Sequence, residues 1–259
     1  MGNTLKRREG YHLSRQANSR GSLWDVLAIV LLSMAVVPTV VSVLIDWLFQ
    51  LGIVAAPAEN LQYVKMISLV SAQEAALLFL TLGSMLSTGW SIKDIKLFRV
   101  PRSLDIPLGV GLGFGFIVIN WLGEHVSRLF FSLFMDESRV LAMLSQENAV
   151  TDGLLSNEHP LWVRAAMGIL IVFVAPVVEE MFFRGYAYNI FKKRLNTTQA
   201  LFYSSLLFAA VHMYLIHFLP IFILGLILAL IYERRQTLLV PIIAHSVMNM
   251  LVAIALLYL

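Results

Sequence analysis

The stretch WVRAAMGILIVFVAPVVEEMFFRGYAYNIF, residues 162–191, is apolar over most of its length yet holds Glu179, Glu180 and Arg184 in its interior. A helix crosses the hydrocarbon core with about 20 predominantly apolar residues, so this run is long enough to span. Six more apolar blocks resemble it, at 23–49, 63–88, 106–134, 199–216, 217–232 and 238–258. Hydrophobic residues make up 59% of the 259 residues and charged residues 14%. That is too little charge to cover a soluble surface of this size. The sequence therefore predicts an all-α fold, a polytopic transmembrane helical bundle of about seven spans. The count is least fixed at 199–232, one long apolar stretch broken only by His217 and Pro220.

Residues 1–22 read as a polar cytosolic tail and 23–259 as a single transmembrane domain. The first apolar run is too long for a signal-peptide core, and no small-residue cleavage site closes it. Basic residues crowd the tail, the 89–105 loop (Lys93, Lys96, Arg99, Arg102), the 192–198 segment and the 233–237 turn. The 50–62 loop has only Glu59, and the 135–160 loop is acidic on balance. The positive-inside rule then places the N-terminus in the cytosol. The expected location is an integral, multi-pass protein of the plasma (inner) membrane if the source is prokaryotic, with lipid as its constant partner. The net charge of +3 comes from residues that flank spans, which argues against nucleic acid as a partner. With no cysteine, there is neither a disulfide framework nor a thiolate nucleophile.

The glycines at 109, 111, 113 and 115 lie inside an apolar span and do not form a phosphate loop. Gly109/Gly113 and Gly111/Gly115 are spaced to let a neighbouring helix approach closely.

Ionisable groups inside spans are costly and usually face a cavity or one another. Glu180 and Arg184 stand four residues apart and share a helix face, so they can pair. Glu179 points about 100° away and is left free to hold a water as a general base. Phe208 lies one turn before His212, and His245 one turn before Asn249, whose side chains can both donate into a pocket. Each has a plainer reading: Glu180–Arg184 as a structural ion pair, His212 bonded to a backbone carbonyl, His245 and Asn249 as contacts between helices. Glu74, Asn120, Glu124 and His125 are weaker candidates without a matching partner set, read as helix contacts or cavity lining. The main groups meet at one depth only if the fourth helix runs on to Ile190. Glu179 and His212 then stand about 13 residues from the cytosolic boundary and His245 about 10, or roughly 15–20 Å. On that reading the site opens to the cytosolic half of the membrane.

Glu179-Glu180-x-x-x-Arg184, Phe208-x-x-x-His212 and His245-x-x-x-Asn249, in this order, resemble the motifs of the CPBP family of CAAX prenyl endopeptidases and bacteriocin-processing or immunity proteins. The resemblance covers about residues 160–255. It implies an intramembrane endopeptidase of glutamate type. Glu179 would activate water with help from His212, while His245 and Asn249 would form the oxyanion hole. Glu180, Arg184 and Phe208 would support them. The substrate would be a membrane-associated protein or peptide, possibly lipidated. No cofactor is expected; the alternative is zinc held by Glu179, His212 and His245, a His₂Glu set without the H-E-x-x-H spacing. Two other functions use similar residues: a noncatalytic immunity or scaffold protein, and a proton-coupled transporter, for which no inverted repeat is visible.

Overall fold

The computed structural model describes residues 21–53, 57–91, 93–97 and 100–258. The predicted tail lies outside the described residues except for its last two, as does Arg99. Every described element is helical: α1 Leu23–Gln50, α2 Ala58–Ser87, α3 Asp105–Ser132, α4 Glu137–Leu155, α5 Leu161–Lys192, α6 Thr197–Val211, α7 Phe218–Arg235 and α8 Leu239–Tyr258. Five of them, α1, α2, α3, α5 and α8, are long and apolar enough to cross a membrane. Helix α6 is a shorter apolar helix, and α7 carries Glu233, Arg234 and Arg235 in its last turn. The protein is an integral, multi-pass membrane protein.

Two elements differ from the sequence reading. The acidic 135–160 segment is mostly helix, α4, with Glu137 in its first turn where a negative charge suits the helix dipole. The 199–216 apolar block stops at Val211 rather than 216, because Met213 turns into the left-handed region at φ 59° and the chain folds back into α7.

Helices α1 and α5 each contain a π-helical turn ending two residues before a proline, at Leu32–Val36 before Pro38 and at Leu170–Val174 before Pro176. Proline has no N–H to give, so the ladder cannot close through it in the ordinary register. A second wide turn in α5, Met181–Ala187, contains Arg184. Helix α5, the fourth span of the sequence reading, thus runs unbroken to Lys192, as convergence of the motifs required.

Helix α5 lies at the centre, with Phe182, Phe183, Arg184, Tyr186, Tyr188 and Ile190 fully enclosed. Lipid tails supply no hydrophobic drive between helices, so close approach of backbones matters more. Gly109 and Gly113 of α3 face α8 so closely that an added Cβ would fall 2.8 Å from Ile243 Cβ and 2.6 Å from Val247 Cβ. Gly111 and Gly115 meet nothing within 4 Å, so only the first of the two glycine pairs serves as a helix contact.

The basic segments gather at one end of the bundle. Arg235 Nε donates to Asp105 Oδ1 at 2.8 Å, Lys192 pairs with Glu233, and Lys96 bonds Gln236. The ammonium of Lys193 sits 3.6 Å from the centre of the Trp90 ring. Helix α4 and the 212–217 turn lie at the opposite end, joined to each other through Glu147.

Candidate active site

The wide turn at Leu170–Val174 prepares one side of the site. Ala175 N–H bonds back five residues to the carbonyl of Leu170. In that register the next donor, for the Ile171 carbonyl, would be residue 176, which is proline. Asn249 Nδ2, from α8, donates to Ile171 O instead, at 2.9 Å. An amide has two N–H bonds, so a second donor remains on Asn249.

Arg184 is wholly enclosed and fixed from three directions. Its Nη1 donates to Glu180 Oε1 at 2.8 Å, its Nη2 to the Gly225 carbonyl at 3.1 Å, and its Cζ lies 4.3 Å from the centre of the Phe208 ring. The expected i,i+4 pair is present, with both side chains fully buried. A Cβ at position 225 would stand 3.0 Å from Phe208 Cδ1, so the glycine lets the ring seat against the guanidinium. Phe208 also meets both histidines edge-on, with ring centres 4.8 Å from His212 and 5.9 Å from His245.

The histidines are oriented through the same nitrogen. His212 Nδ1 is 2.7 Å from the Phe208 carbonyl. A carbonyl only accepts, so Nδ1 carries the proton and neutral His212 presents Nε2 as an acceptor. His245 Nδ1 faces Glu180 Oε1 at 3.2 Å, and its Nε2 lies 4.0 Å from Glu179 Oε2. His245 therefore stands between adjacent carboxylates. Glu179 Oε2 is buried and has no hydrogen-bond partner among the described residues.

His212, His245, Asn249 and Phe208 line a cavity of about 550 Å³, closed on one side by Glu147, Asn148, Thr151, Asp152 and Leu155 of α4. Glu179 does not itself line the cavity; it stands next to His245, which does. The cavity reaches α4, at the end of the bundle opposite the basic segments. The basic end is filled by the enclosed rings of Tyr186, Tyr188 and Tyr232.

The weaker candidates separate. Asn120 lines the cavity. Glu124 Oε2 lies 3.8 Å from His217 Nε2. His125 turns its Nδ1 to its own helix, 2.8 Å from Trp121 O, and is exposed. Glu74, in contrast, is 3% exposed, leaves Oε2 without a hydrogen-bond partner, and is close enough to Glu179 for their charges to interact. Helices α2 and α5 run side by side in one direction: Tyr63 to Val70 pack in the same cluster as Val163 and Met167, and Ser84 Oγ lies 2.5 Å from Tyr186 Oη. A lone acidic residue in an apolar span was the only signal of Glu74 in the sequence.

Glu147 and His217 gave less sign of themselves. Glu147 accepts from the backbone N–H groups of Leu215 (2.6 Å), Ile216 (2.8 Å) and His217 (3.0 Å), and sits 2.8 Å from His217 Nδ1. Burial would push its carboxyl upward, but these donors outweigh that and hold it below the ordinary carboxylate value. Among the described residues, no three His, Asp or Glu side chains are grouped as a metal-binding set.

The helical membrane bundle thus brings Glu179 and Glu180 up to His245, which lines one cavity together with His212 and Asn249. Residues 160–251 match the family described as "Type II CAAX prenyl endopeptidase Rce1-like". The resemblance drawn from the three motifs is thus borne out over the segment that carries them. The chain is 35% identical over 88 residues to the "Putative membrane peptidase YdiL" of Bacillus subtilis, covering 34% of this chain and 36% of that protein. It is 25% identical over 182 residues to the "UPF0177 protein YbdI" of Lactococcus lactis, covering 69% of this chain and 90% of the relative. The alignment thus spans about a third of the first relative's length and nine-tenths of the second's. No solved structure matches the chain.

Proposed function

We propose that this protein is an intramembrane endopeptidase of the CAAX-protease-like type, cleaving a peptide bond in a membrane-associated protein or peptide. The observation that carries this reading is the orientation of the histidines. Each commits Nδ1 to a fixed acceptor, Phe208 O or Glu180, and keeps Nε2 for the reaction. Glu179 takes a proton from the attacking water, with His212 Nε2 as the second acceptor that aligns it. The tetrahedral oxyanion receives hydrogen bonds from Asn249 Nδ2 and His245 Nε2. His245 acts there as the imidazolium: with one N–H given to Glu180, a donor at Nε2 requires a second proton. Glu180, Arg184 and Phe208 hold His245 in place. The proton on Glu179 goes to the amine as the C–N bond breaks, which balances the hydrolysis.

The same orientation gives a second reading. Histidines whose other nitrogen is held by a carboxylate or a carbonyl are typical of metal ligands. We favour the metal-free reaction because Asn249 suits an oxyanion and is a poor zinc ligand.

The deciding experiment is cleavage of a fluorogenic peptide library by the purified protein in detergent. Wild-type protein is expected to cleave, and Glu179→Gln to be inactive while folded. Turnover by Glu179→Gln close to wild type would refute the assignment.

A further inference from the structure

We infer that the site takes its substrate from the extracytosolic side of the membrane, as a neutral or cationic internal segment of an exported or membrane-spanning polypeptide. The chemistry rests on the peptidase reading above; the side of entry does not.

Three observations place the entrance. Most of the residues that line the cavity come from the halves of their helices nearest α4, among them His212 just past the end of α6, Ile221 from the start of α7, and Val252 and Leu256 from the end of α8. At the opposite end α5 is sealed. Arg184, Tyr186, Tyr188 and Tyr232 are enclosed there, and a Cβ at Gly185 would stand 3.0 Å from Ile95 Cβ. Helix α6 has only 15 residues, about 22 Å at the helical rise. That is less than the roughly 30 Å hydrocarbon core, so the 212–217 turn dips into the half of the membrane under α4.

Helix α4 roofs the turn. One carboxylate, Glu147, collects three backbone N–H groups and His217, which fixes α4 over the start of α7. A second hollow, of about 430 Å³, lies along Met143, Gln146 and Val150, and shares Glu147 and His212 with the main cavity. His212 can therefore be approached along α4 from two directions.

The end that α4 occupies is the one without the basic clusters. Lys96, Arg102, Lys192, Lys193, Arg194 and Arg235 all belong to the other end, and Arg194 Nη2 donates to Gly21 O where the described chain begins. A basic end is retained in the cytosol during insertion. The cavity then faces out.

The chemistry of the wall narrows the substrate. Near α4 it is polar, with Asn120, Asn148, Thr151 and Asp152; deeper in, it is apolar, with Phe116 and Leu228. An extended chain with a polar backbone and apolar side chains suits that gradient. Among the described residues, no lysine or arginine lines the cavity, while Glu147 and Asp152 do. A free C-terminal carboxylate brought against α4, within a few residues of the scissile bond, would meet Glu147 and Asp152 and no lysine or arginine. An internal segment avoids that cost.

The test uses the natural absence of cysteine. Asp152→Cys and Thr151→Cys sit on the cavity face of α4, and Lys93→Cys is exposed at the basic end. Each variant is produced in a bacterial inner membrane and treated in intact spheroplasts with a charged, membrane-impermeant maleimide. Labelling of Asp152→Cys or Thr151→Cys without permeabilisation, with Lys93→Cys labelled only afterwards, is the expected result. The reverse pattern overturns the proposal whatever the activity. Purified protein is then offered one peptide in two forms, with an amidated and a free carboxyl terminus three residues past the cleaved bond. The amide should be cleaved at least about tenfold faster, one like-charge contact being worth that much; equal rates overturn the charge assignment. Outside labelling in a protein that cleaves neither form supports the entrance and removes the peptidase reading.

Discussion

The carbonyl of Ile171 is bonded to the side chain of Asn249, 2.9 Å away on another helix, in place of a donor from its own. Proline at 176 is the reason, since the wide turn Leu170–Val174 would have called on its missing N–H. A helix defect thus fixes the rotamer of a proposed oxyanion donor. Pro176→Ala restores a competing N–H, and is expected to lower kcat by up to about 10²-fold by letting Asn249 drift. Asn249→Ala should lower kcat by about 10²–10³-fold with little change in KM. Unchanged kcat in Pro176→Ala would mean that the proline does not position Asn249.

Glu179 and Glu180 are adjacent in sequence but differ in surroundings, and should respond differently to loss of charge. Arg184→Met takes the arginine partner from the buried carboxylate of Glu180 and is expected to cost about 3–5 kcal/mol. Glu179→Gln removes a carboxylate whose Oε2 has no hydrogen-bond partner, so it should unfold within a few degrees of wild type. Thermal unfolding in detergent separates the two. A large loss of stability in Glu179→Gln would recast Glu179 as structural.

Glu74 makes the opposite prediction for stability. A buried polar atom without a partner costs about 1–3 kcal/mol, and Glu74 Oε2 is such an atom. Glu74→Met should therefore raise the unfolding temperature while lowering turnover. A lower unfolding temperature would show that the carboxylate is held by a partner after all.

The anchor of α4 should depend on pH. The folded-state pKa of Glu147 is depressed, so it binds protons less readily than in the unfolded chain. Its contribution is then present above the usual carboxylate value of 4.5 and lost as pH falls through the lower, folded value. Hydrogen exchange at Leu215–His217 should accelerate, relative to intrinsic rates, below about pH 4.5, and in Glu147→Gln at all pH values. Protection unchanged in Glu147→Gln would detach these amides from the carboxylate.

Metal dependence distinguishes the two readings of the histidines. Activity is expected to survive exhaustive treatment with a membrane-permeant chelator, with no stoichiometric zinc on elemental analysis. Stoichiometric zinc, with activity lost on stripping and restored by zinc alone, would assign Glu179, His212 and His245 as ligands.

The sequence by itself determined the helical rods, because bilayer thickness turns apolar run length into a span. It also determined the pair Glu180–Arg184, because both lie on one helix at a spacing that leaves little choice. The resemblance to the CAAX endopeptidases rested on motifs that are likewise local, one helix each. The tertiary structure alone decided which groups meet across helices. His245 lies between Glu179 and Glu180, 65 residues or more away in the chain, and Glu74 reaches Glu179 through the parallel packing of α2 on α5. Neither spacing leaves a trace in one dimension. The acidic 135–160 segment showed the same limit. Its charge gave the side of the membrane on which it was expected, but not that Glu147 would gather the 215–217 amides and roof the cavity. That contact depends on α6 ending at Val211, too short to span, which brings the next turn down to meet it.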